Sequence, residues 1–359
     1  MPGLHDVLPS IAANLGVAGF QDTLGLPRSA RYVLFVVDGM GAELLDQHAE
    51  LAPFLSGLER RDGVDSPIPS TTATSLTSLG TGRRAGSHGV VGYTCREPAS
   101  GRRLNSLTWS DDVDPVLWQP HATVLGQVSD AGVPAAVVND AAFENSGLTL
   151  CGQRGAPFHG IDSLWARTDT VLDVVEAART GVVYAYESRL DHTGHRYGCG
   201  SQQWRETLAT IDADLADLRA ELPSDTTLVV TADHGMLDLP QEGRFDLDDV
   251  AALRDDVTLV AGEARFRHLY TRAGAEQAVA ERWLAELGDR AVVRTQDGLE
   301  DWFGPIEERV RPRIGDVVVA ALDDFAVFSS RDFAIEFHMV GFHGSITDVE
   351  RSVPLLIAH

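Results

Sequence analysis

Four clusters of acid and imidazole side chains stand out in this chain of 359 residues. Asp38-Gly39 closes the apolar run Val33-Leu34-Phe35-Val36-Val37. Asp191-His192-Thr193-Gly194-His195 comes shortly after Val182 to Glu187, and Asp233-His234-Gly235 follows Val229-Val230-Thr231-Ala232. The fourth is Gly341-Phe342-His343-Gly344, near the end of the chain. Taken singly, each has a bland explanation. Asp before Gly is a common turn or helix cap, and Asp-x-x-x-His shares a helical face for many reasons. Together they offer three carboxylates (Asp38, Asp191, Asp233) and three imidazoles (His195, His234, His343). That oxygen and nitrogen set suits Zn²⁺, with Mn²⁺ as the alternative. Thiolate ligation is not expected, because Cys95, Cys151 and Cys199 are odd in number and lack CxxC spacing.

A fifth stretch carries hydroxyls: Ile68-Pro69-Ser70-Thr71-Thr72-Ala73-Thr74-Ser75, running into Leu79-Gly80-Thr81-Gly82. Hydroxyls that open a helix usually cap it. The same place suits a nucleophile, since a helix N-terminus favours developing negative charge and its free N–H groups contact phosphate.

These groups need a frame. Val- and Ile-rich runs at Tyr32 to Val37, Ala135 to Val138, Val182 to Tyr186, Thr227 to Thr231 and Val353 to Ile357 read as buried strands. Helical stretches lie between them, among them Ala73 to Ser78, Thr170 to Ala178 and Gln203 to Glu221. In the last, Trp204, Leu208, Ile211, Leu215 and Leu218 recur at the steps one buried face requires. The alternation predicts an α/β fold with a mostly parallel central sheet and helices on both faces. In such sheets ligands bind outside the carboxyl ends of the strands, where three of the four clusters fall. The segment from about 240 to 331 reads differently, as strand, helix and three strands, and is expected to be a smaller α/β subdomain inserted into a single catalytic domain spanning 1–359.

The bulk numbers narrow the chemistry. The chain contains no lysine, so all 29 basic residues are arginine, which excludes Schiff-base chemistry and a P-loop lysine. A net charge of −24 argues against binding a nucleic-acid polymer or an anionic membrane. No run of about 18 apolar residues occurs, and Met1 to Leu26 lacks a basic leader with an apolar core, so a cytoplasmic location is expected.

In order and spacing, Asp38, the Thr72 segment, Asp191-x-x-x-His195, Asp233-His234 and His343 resemble the nucleotide pyrophosphatase/phosphodiesterase branch of the alkaline phosphatase superfamily. The likeness runs from about Arg31 to His359 and includes Pro69-x-x-Thr72, Thr81-Gly82, Ser87-His88-Gly89 and Arg313-Ile314-Gly315-Asp316. It implies an alkaline phosphatase-like fold and two zinc sites, one of Asp191, His195 and His343, the other of Asp38, Asp233, His234 and the Thr72 oxygen. It also implies hydrolysis of a small phosphate ester, a nucleotide among the candidates, through a phosphothreonine on Thr72. Tyr93 stands where the family's phosphodiesterases often place a phosphate-binding asparagine, and its hydroxyl can donate to the same oxygen. A phosphonate or phosphomonoester hydrolase, or a non-catalytic protein that binds metal and phosphate, would share this core. The sulfatase pattern fails, because Cys95-Arg96-Glu97-Pro98 has its proline one place too late.

Overall fold

The structure, a computed structural model, describes residues 2–163 and 165–359. Its central sheet has seven strands, in the order Glu59–Arg61, Leu355–Ala358, Thr226–Thr231, Arg31–Val37, Gly181–Glu187, Ala135–Asp140 and Phe158–Ile161. The five from Thr226–Thr231 to Phe158–Ile161 run parallel. Leu355–Ala358 joins antiparallel, with Glu59–Arg61 antiparallel beyond it. The three central strands are apolar on both faces, as a sheet flanked by helices requires. Gln202–Glu221 is a helix whose Trp204, Leu208, Ile211, Leu215 and Leu218 are all buried, so the three- and four-residue spacing does mark its core face.

Register positions the chemistry. Val37 pairs with Glu187 and Val36 with Thr231, so Asp38, the turn into Asp191 and the turn into Asp233 leave the sheet at nearly one level. The sequence reading missed the edge strands Glu59–Arg61 and Phe158–Ile161, which are short and only partly apolar.

Between Thr226–Thr231 and the last strand, a second sheet forms in the order Val257–Glu263, Phe266–Thr271, Val317–Ala321, Ala291–Thr295, all antiparallel. Side chains alternate across a strand, and Val317–Ala321 shows what that does here. Val317, Val319 and Ala321 pack with Val279, Trp283 and Leu287 of the helix Glu276–Leu287. Val318 and Ala320 point the other way, into a cluster with Ile68, Ala73, Val90 and Val91 around the start of the Thr72 helix. The segment thus carries its own small core on one face and braces the hydroxyl-rich stretch with the other.

Candidate metal centre and active site

Asp38 is the first residue past Arg31–Val37, its amide bonded to the Glu187 carbonyl at 2.9 Å. The next residue must turn sharply. Gly39 has φ +74, and a Cβ there would lie 3.1 Å from the Asp191 backbone, so the turn and the close approach both call for glycine. Asp191 and His195 sit one turn apart on the helix Arg189–Tyr197, and His192 between them faces solvent. Asp233 and His234 follow Thr226–Thr231, fully buried. His343 follows the two-residue strand Gly341–Phe342, which pairs with Leu237–Asp238 just beyond His234.

These six residues form two groups. Asp191, His195 and His343 offer ligand atoms within 4.8 Å of one another, and so do Asp38, Asp233 and His234. The groups adjoin: the His234 and His343 rings stack with centroids 3.6 Å apart.

Hydrogen bonds show how each imidazole is held. His195 Nδ1 lies 2.8 Å from the Gly341 carbonyl, His234 Nδ1 3.1 Å from that of Gly235, and His343 Nδ1 3.0 Å from that of Ser70. A carbonyl only accepts, so each Nδ1 carries the proton and each Nε2 presents a lone pair. Those lone pairs converge. His195 Nε2 and His343 Nε2 are 3.2 Å apart, and Asp191 Oδ1 is 3.3 Å from the former. His234 Nε2 lies 3.3 Å from Asp38 Oδ1 and 3.6 Å from Asp233 Oδ2. The three carboxylate oxygens named here are buried without a hydrogen-bond partner. Converging lone pairs and orphaned carboxylate oxygens repel unless a cation lies between them, so the donor sets fit divalent metals on their own chemistry.

The charges agree. Burial first, then the neighbouring charges of Asp191 and Asp233, pushes the Asp38 carboxyl well above the usual range, and burial raises Asp233 as well. Burial, then His234 and His195, holds His343 well below the usual imidazole value. Bound cations would favour the ligating form of every one of these groups.

Thr72 opens the helix Thr72–Thr81, and its Oγ1 is 3.1 Å from His234 Nε2. The neighbouring hydroxyls are placed otherwise. Ser70 donates to the Ser345 carbonyl, Thr74 is buried with no partner, and Thr71 lies near Glu263. A cavity of about 350 Å³ opens over Thr72, Asp38, Asp191, His195 and His343. Tyr93 lines it half-buried. Among the described residues no arginine lines this cavity. Arg265 is fully buried against Glu350, and Arg267 against Glu336. The rim is apolar, with Leu107, Phe143 and Ile335 exposed.

Sequence reasoning passed over Asn139, Gln153, Glu263 and Glu336, which also line the cavity. Each is a lone polar residue without motif context; only the strand-end position of Asn139 and Glu263 could have flagged them. His88 and His268 serve packing. His88 is bonded to Ser78 at 2.9 Å and receives the Val90 amide at 3.1 Å.

Comparison with known proteins gives the fold and the family. Murine and human ectonucleotide pyrophosphatase / phosphodiesterase 5 each superpose with a TM-score of 0.70 at 17% identity, covering 91% of this chain and 87% of theirs. An inactive variant of the murine protein in complex with AMP superposes at 0.69 and 16% identity, with the same coverage. These likenesses establish a shared fold, which is alkaline phosphatase-like. GPI ethanolamine phosphate transferase 3 of Schizosaccharomyces pombe is 29% identical over 92 residues, 26% of this chain and 10% of that protein. The matched stretch thus spans about a tenth of that relative's length. The model of the family described as type I phosphodiesterase / nucleotide pyrophosphatase matches residues 32–346, nearly the whole chain. The chain belongs to the type I phosphodiesterase / nucleotide pyrophosphatase family.

Proposed function

We propose that the chain hydrolyses phosphodiester or phosphoanhydride bonds at a site for two divalent cations, zinc in preference to manganese, by way of a phosphothreonine on Thr72. One observation carries this reading: the Thr72 hydroxyl, at a helix start in an open cavity, lies 3.1 Å from His234 Nε2 in a donor set that lacks its counter-charge. Asp38, Asp233 and His234 would hold one cation, and Asp191, His195 and His343 the other. When bound, such cations neutralise phosphate charge and lower the pKa of a hydroxyl or water.

The chain's own groups do the rest. Thr72 Oγ forms a bond to phosphorus while the bond from phosphorus to the departing oxygen breaks, and the alcohol or phosphate leaves with a proton. Water then attacks the phosphothreonine, and Thr72 recovers its hydroxyl. The free N–H groups at the start of Thr72–Thr81 face the phosphoryl oxygens and need no reorganisation as charge develops. His234 and His343 are locked by their backbone bonds, which fixes the frame around the nucleophile.

A diester suits this cavity better than a monoester. The second negative charge of a monoester usually meets a bidentate arginine or a third cation, and Arg265 and Arg267 are committed to Glu350 and Glu336. The AMP complex of the related murine protein supports a nucleotide-type ligand. The test is a panel of nitrophenyl mono-, di- and phosphonate esters offered to zinc-loaded enzyme. Cleavage of the diester, abolished in Thr72→Ala, is expected; failure to cleave any phosphate or phosphonate ester would end the hydrolase reading.

A further inference from the structure

The two donor groups are not built alike. Every imidazole in them is held through Nδ1 by a main-chain carbonyl, so the difference lies in the carboxylates. Asp233 Oδ1 accepts the Gly39 and His234 amides, each at 3.1 Å, which leaves Oδ2 alone to face His234 Nε2. Asp38 Oδ2 accepts the hydroxyl of Tyr186, which leaves Oδ1 alone to face the same nitrogen. Each of these carboxylates has one oxygen tied down and one presented. Asp191 has no such tie. Its Oδ1 is buried without a partner, and among the described residues no hydrogen bond reaches its carboxylate. Exposure follows the same division: Asp38, Asp233 and His234 are all buried, whereas Asp191 and His195 are half-buried and open to the cavity.

Register gives Tyr186 its reach. It pairs with Val36 across the parallel strands, two residues before Asp38, so it stands on the face towards which Asp38 turns. A carboxylate with one oxygen held meets a cation in one orientation and loses little freedom on binding. Without the phenol, Asp38 would be free to turn either oxygen to the cation, and the other would stay buried with no donor. We infer that the two cation sites fill in order, the group of Asp38, Asp233 and His234 first and that of Asp191, His195 and His343 second, and that Tyr186 is the positioning residue that sets the order. This rests on the two-cation reading above and adds to it which ion is retained and which exchanges.

The test is a titration of zinc-free protein with zinc against a competing chelator, which reads affinity without turnover. Wild type should take up zinc in two steps about 10-fold or more apart in dissociation constant, the scale of an outer partner's effect on a metal ligand. Asp191→Asn should keep the tighter step and lose the weaker, and Asp233→Asn the reverse. Added to Asp191→Asn, Tyr186→Phe should weaken the remaining step by about 10- to 100-fold. Added to Asp233→Asn, the same change should leave the remaining step where it was, which general damage to the fold would not do. Equal steps in wild type, a tighter step that survives in Asp233→Asn, or a Tyr186→Phe effect on both backgrounds or on neither overturns the inference. The wild-type steps and their assignment by the aspartate variants test the order even where Tyr186→Phe folds poorly. No zinc uptake at all would overturn the two-cation reading together with the inference, whereas two steps in the opposite order overturn the inference alone.

Discussion

Thr72 differs from its hydroxyl neighbours in what it faces. Its oxygen is the one beside His234 Nε2, while Ser70, Thr71 and Thr74 are turned to other partners or buried. Thr72→Ala should therefore lower kcat by about three decades or more while leaving the fold and most metal binding in place, as when a covalent nucleophile is removed from a site acting as a unit. Near wild-type turnover in Thr72→Ala, with Thr71→Ala or Thr74→Ala inactive, would show that another hydroxyl attacks. Tyr93 is argued on the same scale. A single neutral donor to a developing oxyanion gives about 10- to 100-fold, so Tyr93→Phe should weaken diester cleavage by that factor and leave diesters ahead of monoesters with the same leaving group. Equal rates for variant and wild type would remove Tyr93 from the phosphate. Five of the six acid and imidazole positions were legible because each follows a strongly apolar strand or lies on a helix entered from one; His343 follows only the two-residue strand Gly341–Phe342 and was read from its place shortly before the last strand. Glu263 and Gln153 were not, since their significance comes from a cavity that remote segments assemble, and a lone glutamate or glutamine carries no spacing to read.

Among the elements, the helix Thr72–Thr81 is held tightly. A Cβ on Gly80 would lie 1.9 Å from the Gly152 carbonyl oxygen, so backbone meets backbone where this helix crosses Gly147–Gly152. That second helix brings Leu148, Thr149 and the following Gln153 into the cavity wall. Gly80→Ala should destabilise the protein by about 1–3 kcal/mol or more, since a packed backbone contact cannot shift as a side chain can. A melting temperature equal to wild type would contradict the crossing. Five of the seven strands of the central sheet were legible within one or two residues, because their apolar runs are long enough to exclude a solvent face, whereas the edge strands Glu59–Arg61 and Phe158–Ile161 are too short and too mixed to read. The antiparallel entry of Leu355–Ala358 was not, because strand direction depends on the connection through the inserted segment rather than on the strand's own residues.

At the scale of the whole molecule, two parts of the chain must stay docked for the cavity to exist, and His268 is one of the joints. It lies on the inserted sheet, donates from Nε2 to the Val91 carbonyl at 3.0 Å, and receives the Gly315 amide on Nδ1 at 3.1 Å. Burial lowers its pKa from 6.5 to about 4, so the folded chain keeps the ring neutral where the unfolded chain binds a proton. Stability therefore rises with pH across that window, and the contribution is lost as pH falls from 6.5 towards 4, by about 3 kcal/mol in all. Denaturant titrations at stepped pH should show a shallower acid loss in His268→Gln than in wild type; parallel curves would exclude His268 as the titrating joint.

Metal belongs to this scale too, because the two donor groups are drawn from the turn after Arg31–Val37, the helix Arg189–Tyr197, the turn after Thr226–Thr231 and the approach to the last strand. The chain carries a net charge of −24, and the two donor groups bury three carboxylate oxygens, of Asp38, Asp191 and Asp233, with no partner. Each is a cost to the metal-free fold that a cation would remove. Close to two transition-metal ions per chain, chiefly zinc, are expected by elemental analysis, since six side-chain ligands exceed what one catalytic zinc with an open position uses. Binding to the folded state alone stabilises by about 2.7 kcal/mol per site at a hundred times the dissociation constant. Chelation should thus lower the melting temperature and abolish turnover together, and returning zinc should restore both. Replacing Asp191 with Asn should weaken one site and leave the group of Asp38, Asp233 and His234 able to bind, so that variant should retain about one ion and part of the thermal shift. Full activity after chelation, or a melting temperature indifferent to zinc, would mean that the converging lone pairs have some other partner and that Thr72 is activated without metal.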